Sequence, residues 1–362
     1  MQNSVVPARR VRRITIRAVA EAAGVSIGTV SNVLNDRHDR VSPETRRQVL
    51  RVAQELGYRP SRLARSLVTR RSATLALIVS EMTNPLYPPA IEGVERVASA
   101  AGWRVILSSA WNAEAQAEAA QVLLDHQVDG LIVFATSLYD DDRYLRQLAA
   151  DGVPVITINR QVDDPHVTQV RFDHRGGAEL AVQHLIDLGH THIAHLAGPR
   201  SRLTAAQRLA GYQSVLNRSG LDWRDEYVQV ADYTFDGGLS ATKHLLSVRP
   251  LPTAIFAASE MSALGAYRAL TEAGVRVPQD VSLVAFGNPP FLNCYTPAFT
   301  TVDLPVVEAG EQAARLLLAR ISAPEDPIAP PLVLPSRLVK GASTAPPDRD
   351  SGSGITVPSI AR

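Results

Sequence analysis

From Thr74 onward the chain repeats one rhythm: a short apolar run, a polar break, then a stretch with helical spacing. The runs are TLALIVS (74–80), WRVILSS (103–109), DGLIVFA (129–135) and VPVITIN (153–159), then HIAHLAG (192–198), YVQVADY (227–233), TAIFAAS (253–259) and VSLVAFG (281–287). A strand with one wet face alternates apolar and polar residues; a strand apolar along its length is covered on both faces. Helical patterns fall between the runs at 89–101, 177–188, 205–219 and 261–273. Strand and helix in alternation give parallel sheets with helices on both sides. The runs form two series that restart after His166, so the expected fold is α/β, with two doubly wound lobes. The late segments 300–303 and 332–340 are expected to cross back between lobes. The tail from Ala342, rich in Ser, Pro, Gly and Asp, is expected to be disordered.

The first 71 residues have another texture. Thr15 can cap a helix whose apolar stripe is Ile16, Val19, Ala20 and Ala23, and Gly24 stops it. Ser26 can cap a second helix, with Val30 and Leu34 turned inward and Ile27, Gly28, Ser31 and Asn32 outward or sideways. Ser42-Pro43 starts a third, which runs through Val49, Val52, Ala53 and Leu56 to Gly57. Tyr58-Arg59-Pro60 breaks the chain. The amphipathic stretch 61–67 that follows is too short to hold a helix alone.

Charge separates the two textures. Residues 1–71 carry 15 arginines, no lysine and 5 acidic residues, while the remainder holds 22 basic against 31 acidic, so a net charge of +1 hides a basic head on an acidic body. That asymmetry is the footprint of a nucleic-acid-binding module.

A helix-turn-helix docks its second helix in the major groove while backbone contacts fix the register. The residues suit that task. Ser26, Thr29 and Ser31 can bond phosphates at a helix N-terminus that already favours anions. Asn32 can read a base edge through its amide, Ile27 can meet a thymine methyl, and Gly28 permits close approach.

VAEAAGVSIGTVSNVLN, followed by VSPETRRQVLRVAQELGYRPSRLARSL, resembles the headpiece and hinge of LacI/GalR-type transcriptional repressors. The resemblance continues through NPLYPPAIEGVE, VDGLIVFA, HLIDLGHTHIAHLAGP, QRLAGY, ALGAYRAL and TPAFTTVDLP, and spans roughly residues 14–342. It implies a basic arm (1–13), a DNA-binding headpiece (14–58) and a hinge (59–71). A two-lobed, periplasmic-binding-protein-like effector and dimerisation domain (72–342) follows, then a disordered tail (343–362). It implies a homodimer on near-palindromic double-stranded operator DNA. The hinge would fold on DNA and insert Leu67 into a central minor-groove step, with Ala64 beside it; such a wedge costs a few kcal/mol of unstacking, recovered through added contacts. The DNA-facing set is then Thr15, Ile16, Arg17, Ser26, Ile27, Gly28, Thr29, Ser31, Asn32, Asn35, Arg40, Thr45, Tyr58, Ala64 and Leu67.

By the same resemblance a small molecule sits between the lobes, beyond the carboxyl ends of the strands. The positions facing it are Leu86, Tyr87, Phe134, Asp173, Arg202, Thr204, Arg208, Tyr233, Ser259 and Asn288. Tyr87 and Tyr233 would offer flat faces to a ring, and Arg208 a fork for a carboxylate or a hydroxyl pair. Arg202 reads equally as a surface charge. Relatives often carry Asn-Asp where this chain has Ser259-Glu260, and Asp-Asp where it has Gly287-Asn288. Fewer carboxylates weaken the case for a plain polyhydroxylated sugar, and Arg202 and Arg208 with fewer acids nearby favour an anionic or keto-acid-like ligand, within the class of a sugar, a sugar acid or another small anion.

Other functions find little support. No run of about 18 apolar residues suits a membrane span, and the N-terminus lacks an apolar core of signal-peptide length, so a cytoplasmic, nucleoid-associated protein is expected rather than a secreted solute-binding one. The segment after the first strand, SEMTNPLYPPA, has no glycine to cradle a phosphate, which weakens an enzyme reading. His184, His190, His192 and His195 crowd together, but they straddle a helix end and a strand, and no metal is expected. Cys294 stands alone, without disulfide partner or evident base. No cofactor is expected.

Overall fold

A computed structural model describes residues 14–34, 41–58, 71–80, 82–134 and 142–348. The chain divides into two compact units, the first ending at Ser72 and the second starting at Ala73.

The first unit holds α1 (Ile16–Ala23), α2 (Ile27–Leu34) and α3 (Pro43–Glu55). Thr15 Oγ1 accepts from the Ala18 N–H at 3.3 Å, Ser26 Oγ from Thr29 at 3.0 Å, and Ser42 Oγ from Thr45 at 3.2 Å, so each helix starts on a hydroxyl cap. Gly24 turns the chain between α1 and α2 at φ 63°. Val19, Ala20, Ala23, Val30, Val33, Val49, Val52 and Ala53 form one core. Val33, rather than Leu34, is the second buried residue of α2; Leu34 is half-buried at the edge. Gln48 Nε2 donates to the Ala23 carbonyl at 3.0 Å and pins α3 to the end of α1.

The second unit contains two six-stranded sheets. The first sheet runs in the order β11 (Leu332–Leu334), β5 (Thr168–Phe172), β4 (Val155–Ile158), β3 (Gly130–Phe134), β1 (Thr74–Val79), β2 (Arg104–Ser109), all parallel. The second runs β12 (Arg337–Val339), β10 (Thr300–Asp303), β9 (Ser282–Phe286), β8 (Ala254–Ala257), β6 (Ile193–Ala197), β7 (Val228–Val230). Among the described residues only β12 is antiparallel to its neighbour. Strands β3, β4, β6, β8 and β9 are buried along their whole length, as continuous apolar runs require. β5 was not visible as a strand in the sequence, because Thr, Gln and Arg interrupt its apolar run.

The crossings between lobes are now specific. β5 leads through Asp173 into the helix His174–Asp187, which packs on the second sheet. Asp303-Leu304-Pro305 leads from β10 to the helix Val306–Ser322, which packs on the first. Pro335-Ser336 then joins β11 to β12. The crossings are bonded together: the Asp173 N–H donates to the Leu334 carbonyl at 3.0 Å, and Ser336 Oγ to the Asp173 carbonyl at 3.0 Å.

The expected disorder from residue 343 is corrected in its first part. Ser343 is fully buried; its hydroxyl accepts from the Thr300 N–H at 2.8 Å and donates to the Leu283 carbonyl at 2.5 Å. Its neighbours bond to His184 and His190. A short polar segment gave no apolar signal, yet it satisfies buried acceptors and donors of the second sheet. Residues 349–362 lie outside the described residues. Among the described residues, no helix is long and apolar enough to cross a membrane.

Candidate functional site

Beyond the carboxyl ends of both sheets lies a cavity of about 510 Å³. From the first sheet it takes Ser80 after β1, Trp111 after β2 and Asn159 after β4, together with Asn84, Pro85 and Leu86. From the second it takes Arg202 and Thr204 after β6, Asp232 and Tyr233 after β7, Ser259 and Glu260 after β8, and Phe286 and Gly287 at the end of β9. Open parallel sheets leave their ligand crevice at this end.

Arg208 is a firmly anchored cation of this cavity. It is buried, with its guanidinium carbon 4.0 Å from the Phe286 ring centre and 5.0 Å from that of Tyr233. Nη1 donates to the Ala258 carbonyl, Nη2 donates to His174 Nδ1 at 3.2 Å, and Nε has no protein partner. His174 Nε2 in turn donates to Asn159 Oδ1 at 2.5 Å. Burial, and then the adjacent Arg208, hold the His174 imidazole well below its ordinary pKa, so the ring is neutral and can accept from a guanidinium. Asn159 belongs to the first lobe and Arg208 to the second, with His174 between them on the first crossing.

Backbone strain collects here. Asn159, Asp232 and Tyr233 have φ of 55°, 48° and 61°, left-handed values that L-residues adopt at a cost. Gly198 makes room for one of them, because a Cβ there would overlap the Tyr233 ring. Tyr233 OH lies 3.4 Å from Thr204 Oγ1.

Of the residues expected at the ligand, Leu86, Arg202, Thr204, Arg208, Tyr233 and Ser259 line this cavity. Four do not. Tyr87 is buried with its ring edge-on to Phe134 at 4.9 Å and its hydroxyl on Ser80 Oγ at 3.1 Å, so it supports the wall rather than offering a face. Phe134 is wholly buried in the same core. Asp173 caps the helix His174–Asp187, accepting from the Gly176 N–H at 2.8 Å, and faces a smaller neighbouring cavity of about 220 Å³. Asn288 lines a third cavity of about 630 Å³. Asn159, Trp111, Asp232, Glu260 and Phe286 were missed; each follows or ends a strand, which is the signal that finds them. Trp111 is 80% exposed and is an open aromatic face in this cavity, where Tyr87 is buried.

In the first unit, Ile27 is 43% exposed at the start of α2, with Gly28 exposed beside it and Ser31 and Asn32 half-buried. Arg17 is exposed on α1. Thr15, Ser26, Thr29 and Thr45 are engaged in caps, with hydroxyl pairs of 2.9 Å at Ser26–Thr29 and Ser42–Thr45. Ile16 and Tyr58 pack against the three-helix core. Asn35, Arg40, Ala64 and Leu67 lie outside the described residues.

The clustered histidines have structural partners. His190 bonds Thr253, Ser282 and the Ala345 carbonyl, and His184 bonds Thr344. His195 lies between Phe256 and Tyr212 at 4.7 and 5.2 Å. Among the described residues no group of side chains is arranged to hold a metal ion.

A model described as bacterial regulatory proteins, lacI family, matches residues 15–61, and one described as a periplasmic binding protein-like domain matches residues 182–344. The HTH-type transcriptional regulator CelR of Thermobifida fusca is 38% identical over 320 residues, covering 86% of this chain and 93% of the relative. The solved complex of a transcriptional regulator CelR with cellobiose superposes with a TM-score of 0.70 at 34% identity, covering 91% of this chain and 100% of the other. The Lac repressor dimer bound to operator and the anti-inducer ONPF superposes with a TM-score of 0.83 at 31% identity, covering 92% of this chain and 100% of the other.

Proposed function

The chain belongs to the lacI family of bacterial transcriptional regulators, and from that premise we propose that it is a repressor that binds a near-palindromic operator as a homodimer and releases or tightens it in response to a small saccharide. The carrying observation is Arg208: a guanidinium fixed between Phe286 and Tyr233, opening on a crevice walled by the strand ends of both sheets. Beyond its bonds to Ala258 and His174, each terminal nitrogen keeps a second hydrogen, which suits the oxygens of a pair of hydroxyls. Trp111 supplies an open aromatic face for the apolar side of a sugar ring. CelR, similar over most of its length, has been solved with cellobiose. Asp232 and Glu260 stand in the same cavity as Arg202 and Arg208, so the charges balance and an anionic ligand loses its advantage.

In the headpiece, Ile27, Gly28 and Asn32 meet the bases and Arg17 and Ser31 the phosphates, while the capping hydroxyls hold the helices at the angle this needs. Leu67 with Ala64 forms the minor-groove wedge, and Asn35, Arg40, Thr45 and Tyr58 complete the contact surface. A ligand that touches both lobes favours one lobe arrangement, and through it one DNA affinity. A tenfold preference for one state is worth about 1.4 kcal/mol.

The test selects operator sequences from a random DNA library with the purified protein, then measures anisotropy of a selected duplex with and without neutral saccharides. A selected palindrome whose occupancy changes with one sugar is the expected result. A protein that binds every duplex equally at moderate salt is not a sequence-specific regulator.

A further inference from the structure

Gly287 has φ 104°, and a Cβ built on it would stand 2.5 Å from Glu260 Oε2. The Glu260 carboxylate therefore occupies the space that a side chain at 287 would fill. Ser259 caps the helix Glu260–Glu272 and fixes where Glu260 leaves the backbone, with a reciprocal bond between Ser259 and Ser262. Glu260 is half-buried; its own backbone N–H donates to its carboxylate, and among the described residues no other residue forms an ion pair or hydrogen bond with it. Burial raises its pKa, while Arg208 across the cavity works in the opposite direction.

This carboxylate stands at a junction. The cavity of about 510 Å³ and the neighbouring one of about 630 Å³ share Pro85, Leu86, Glu260, Gly287 and Leu304. Each volume alone lies within the roughly 300–1,000 Å³ of a small-molecule pocket. The second cavity is also lined by Asn288, whose Oδ1 is buried without a hydrogen-bond partner among the described residues. Prolines 85, 89, 289, 290, 305 and 335 stiffen its wall, since each fixes φ and offers no N–H. Two adjoining cavities are then lined by acceptor groups, the Glu260 carboxylate where they meet and the Asn288 amide beyond, with Arg208 on the other side. A carboxylate that accepts only from its own N–H keeps lone pairs for the hydroxyl hydrogens of a ligand.

We propose that Glu260, seated over Gly287, is the specificity-determining acceptor for a neutral saccharide of at least two rings, one ring in the Arg208 cavity and the next beside Asn288. This rests on the cleft reading above and adds the size and charge class of the ligand. A monosaccharide reaches only one cavity, and a sugar acid brings its carboxylate against that of Glu260.

The full-length protein is titrated calorimetrically with cellobiose, maltose, glucose, ribose and gluconate, and the same series is repeated with Glu260→Gln and Glu260→Asp. Melting of each unliganded variant checks that it is folded. At least one disaccharide is expected to bind tenfold or more tightly than either monosaccharide, with gluconate weaker still. Glu260→Gln, which replaces one acceptor oxygen by a donor, and Glu260→Asp, which withdraws the carboxylate from Gly287, are each expected to weaken that disaccharide at least tenfold. A monosaccharide or gluconate binding as tightly as the disaccharides overturns the proposal, as does a disaccharide that both folded variants bind unchanged; either result leaves the saccharide cleft standing. Absence of binding by every sugar removes the cleft reading itself, and the proposal with it.

Discussion

Arg208 Nη2 donates to His174 Nδ1 at 3.2 Å, and this one bond ties the cleft guanidinium to the first chain crossing between the lobes. His174 passes the connection to Asn159 at 2.5 Å, on the far side of the crevice. A ligand that pulls on Arg208 therefore acts on a group already linked to both lobes.

Arg208→Lys retains the charge but loses the fork and the stacking on Phe286 and Tyr233. Ligand affinity is expected to fall at least tenfold, about 1.4 kcal/mol. Loss of the bond to His174 leaves a buried acceptor unpaired, which costs about 1–3 kcal/mol of stability. Calorimetry and thermal melting separate the two effects; wild-type ligand affinity in this variant would remove Arg208 from the site.

Acid is expected to destabilise the second unit through its buried histidines. Burial lowers the pKa of His195 to about 4, against its bonded Phe256 carbonyl, and lowers those of His174, His184 and His190. The unfolded chain takes up protons near its ordinary histidine value of about 6.5, while the folded chain resists. Stability is thus full above that value and lost as pH falls toward 4, by roughly 3 kcal/mol for His195 alone at the order-of-magnitude level. Urea midpoints between pH 7.5 and 4.5 should fall, and His195→Gln should flatten the slope. A slope unchanged in that variant would show that His195 does not carry the effect.

The headpiece separates reading from holding. Arg17→Ala should weaken all DNA sequences alike and reduce the salt slope by about 1, as loss of one phosphate contact does. Asn32→Ala should cost about 1–3 kcal/mol on the preferred operator and relax preference at one position. Leu67→Ala should weaken the operator far more than random DNA, since only a bent site benefits from a wedge. Titrations of matched and scrambled duplexes across a salt series measure all three; equal losses on both duplexes would argue against a reading role for Asn32 and a wedge at Leu67.

Ser343→Ala removes the partner of the Thr300 N–H and the Leu283 carbonyl inside the second sheet. A loss of about 1–3 kcal/mol is expected, visible as a lower melting temperature. An unaltered melt would show that water or a shifted backbone replaces the hydroxyl.

The two series of apolar strands and the three capped helices were legible because burial on both faces and hydroxyl capping leave local marks. β5 was not, since Gln169 and Arg171 meet polar partners, the Val162 backbone and Gln161, that only the fold supplies. Arg208 could be placed in the cleft from the sequence, but its holder His174 could not: the bond spans two lobes and no spacing announces it. Tyr87 and Phe134 misled for the opposite reason. An aromatic residue near a strand end can line a crevice or support its wall, and side-chain packing alone decides. Asn288 was assigned to the ligand without any sign that it belongs to a separate cavity.

Residues 332–345 give β11 to one sheet and β12, with Ser343, to the other. On the ribosome the three-helix unit has its whole core once Tyr58 has emerged. Both sheets, by contrast, wait for the same late segment, and until it arrives β5 and β10 stand as edge strands with their ladder groups open to a stranger. The nascent chain thus holds a finished DNA-reading unit while the part that would govern it is still being made, and a chain interrupted before residue 332 would carry the first without the second.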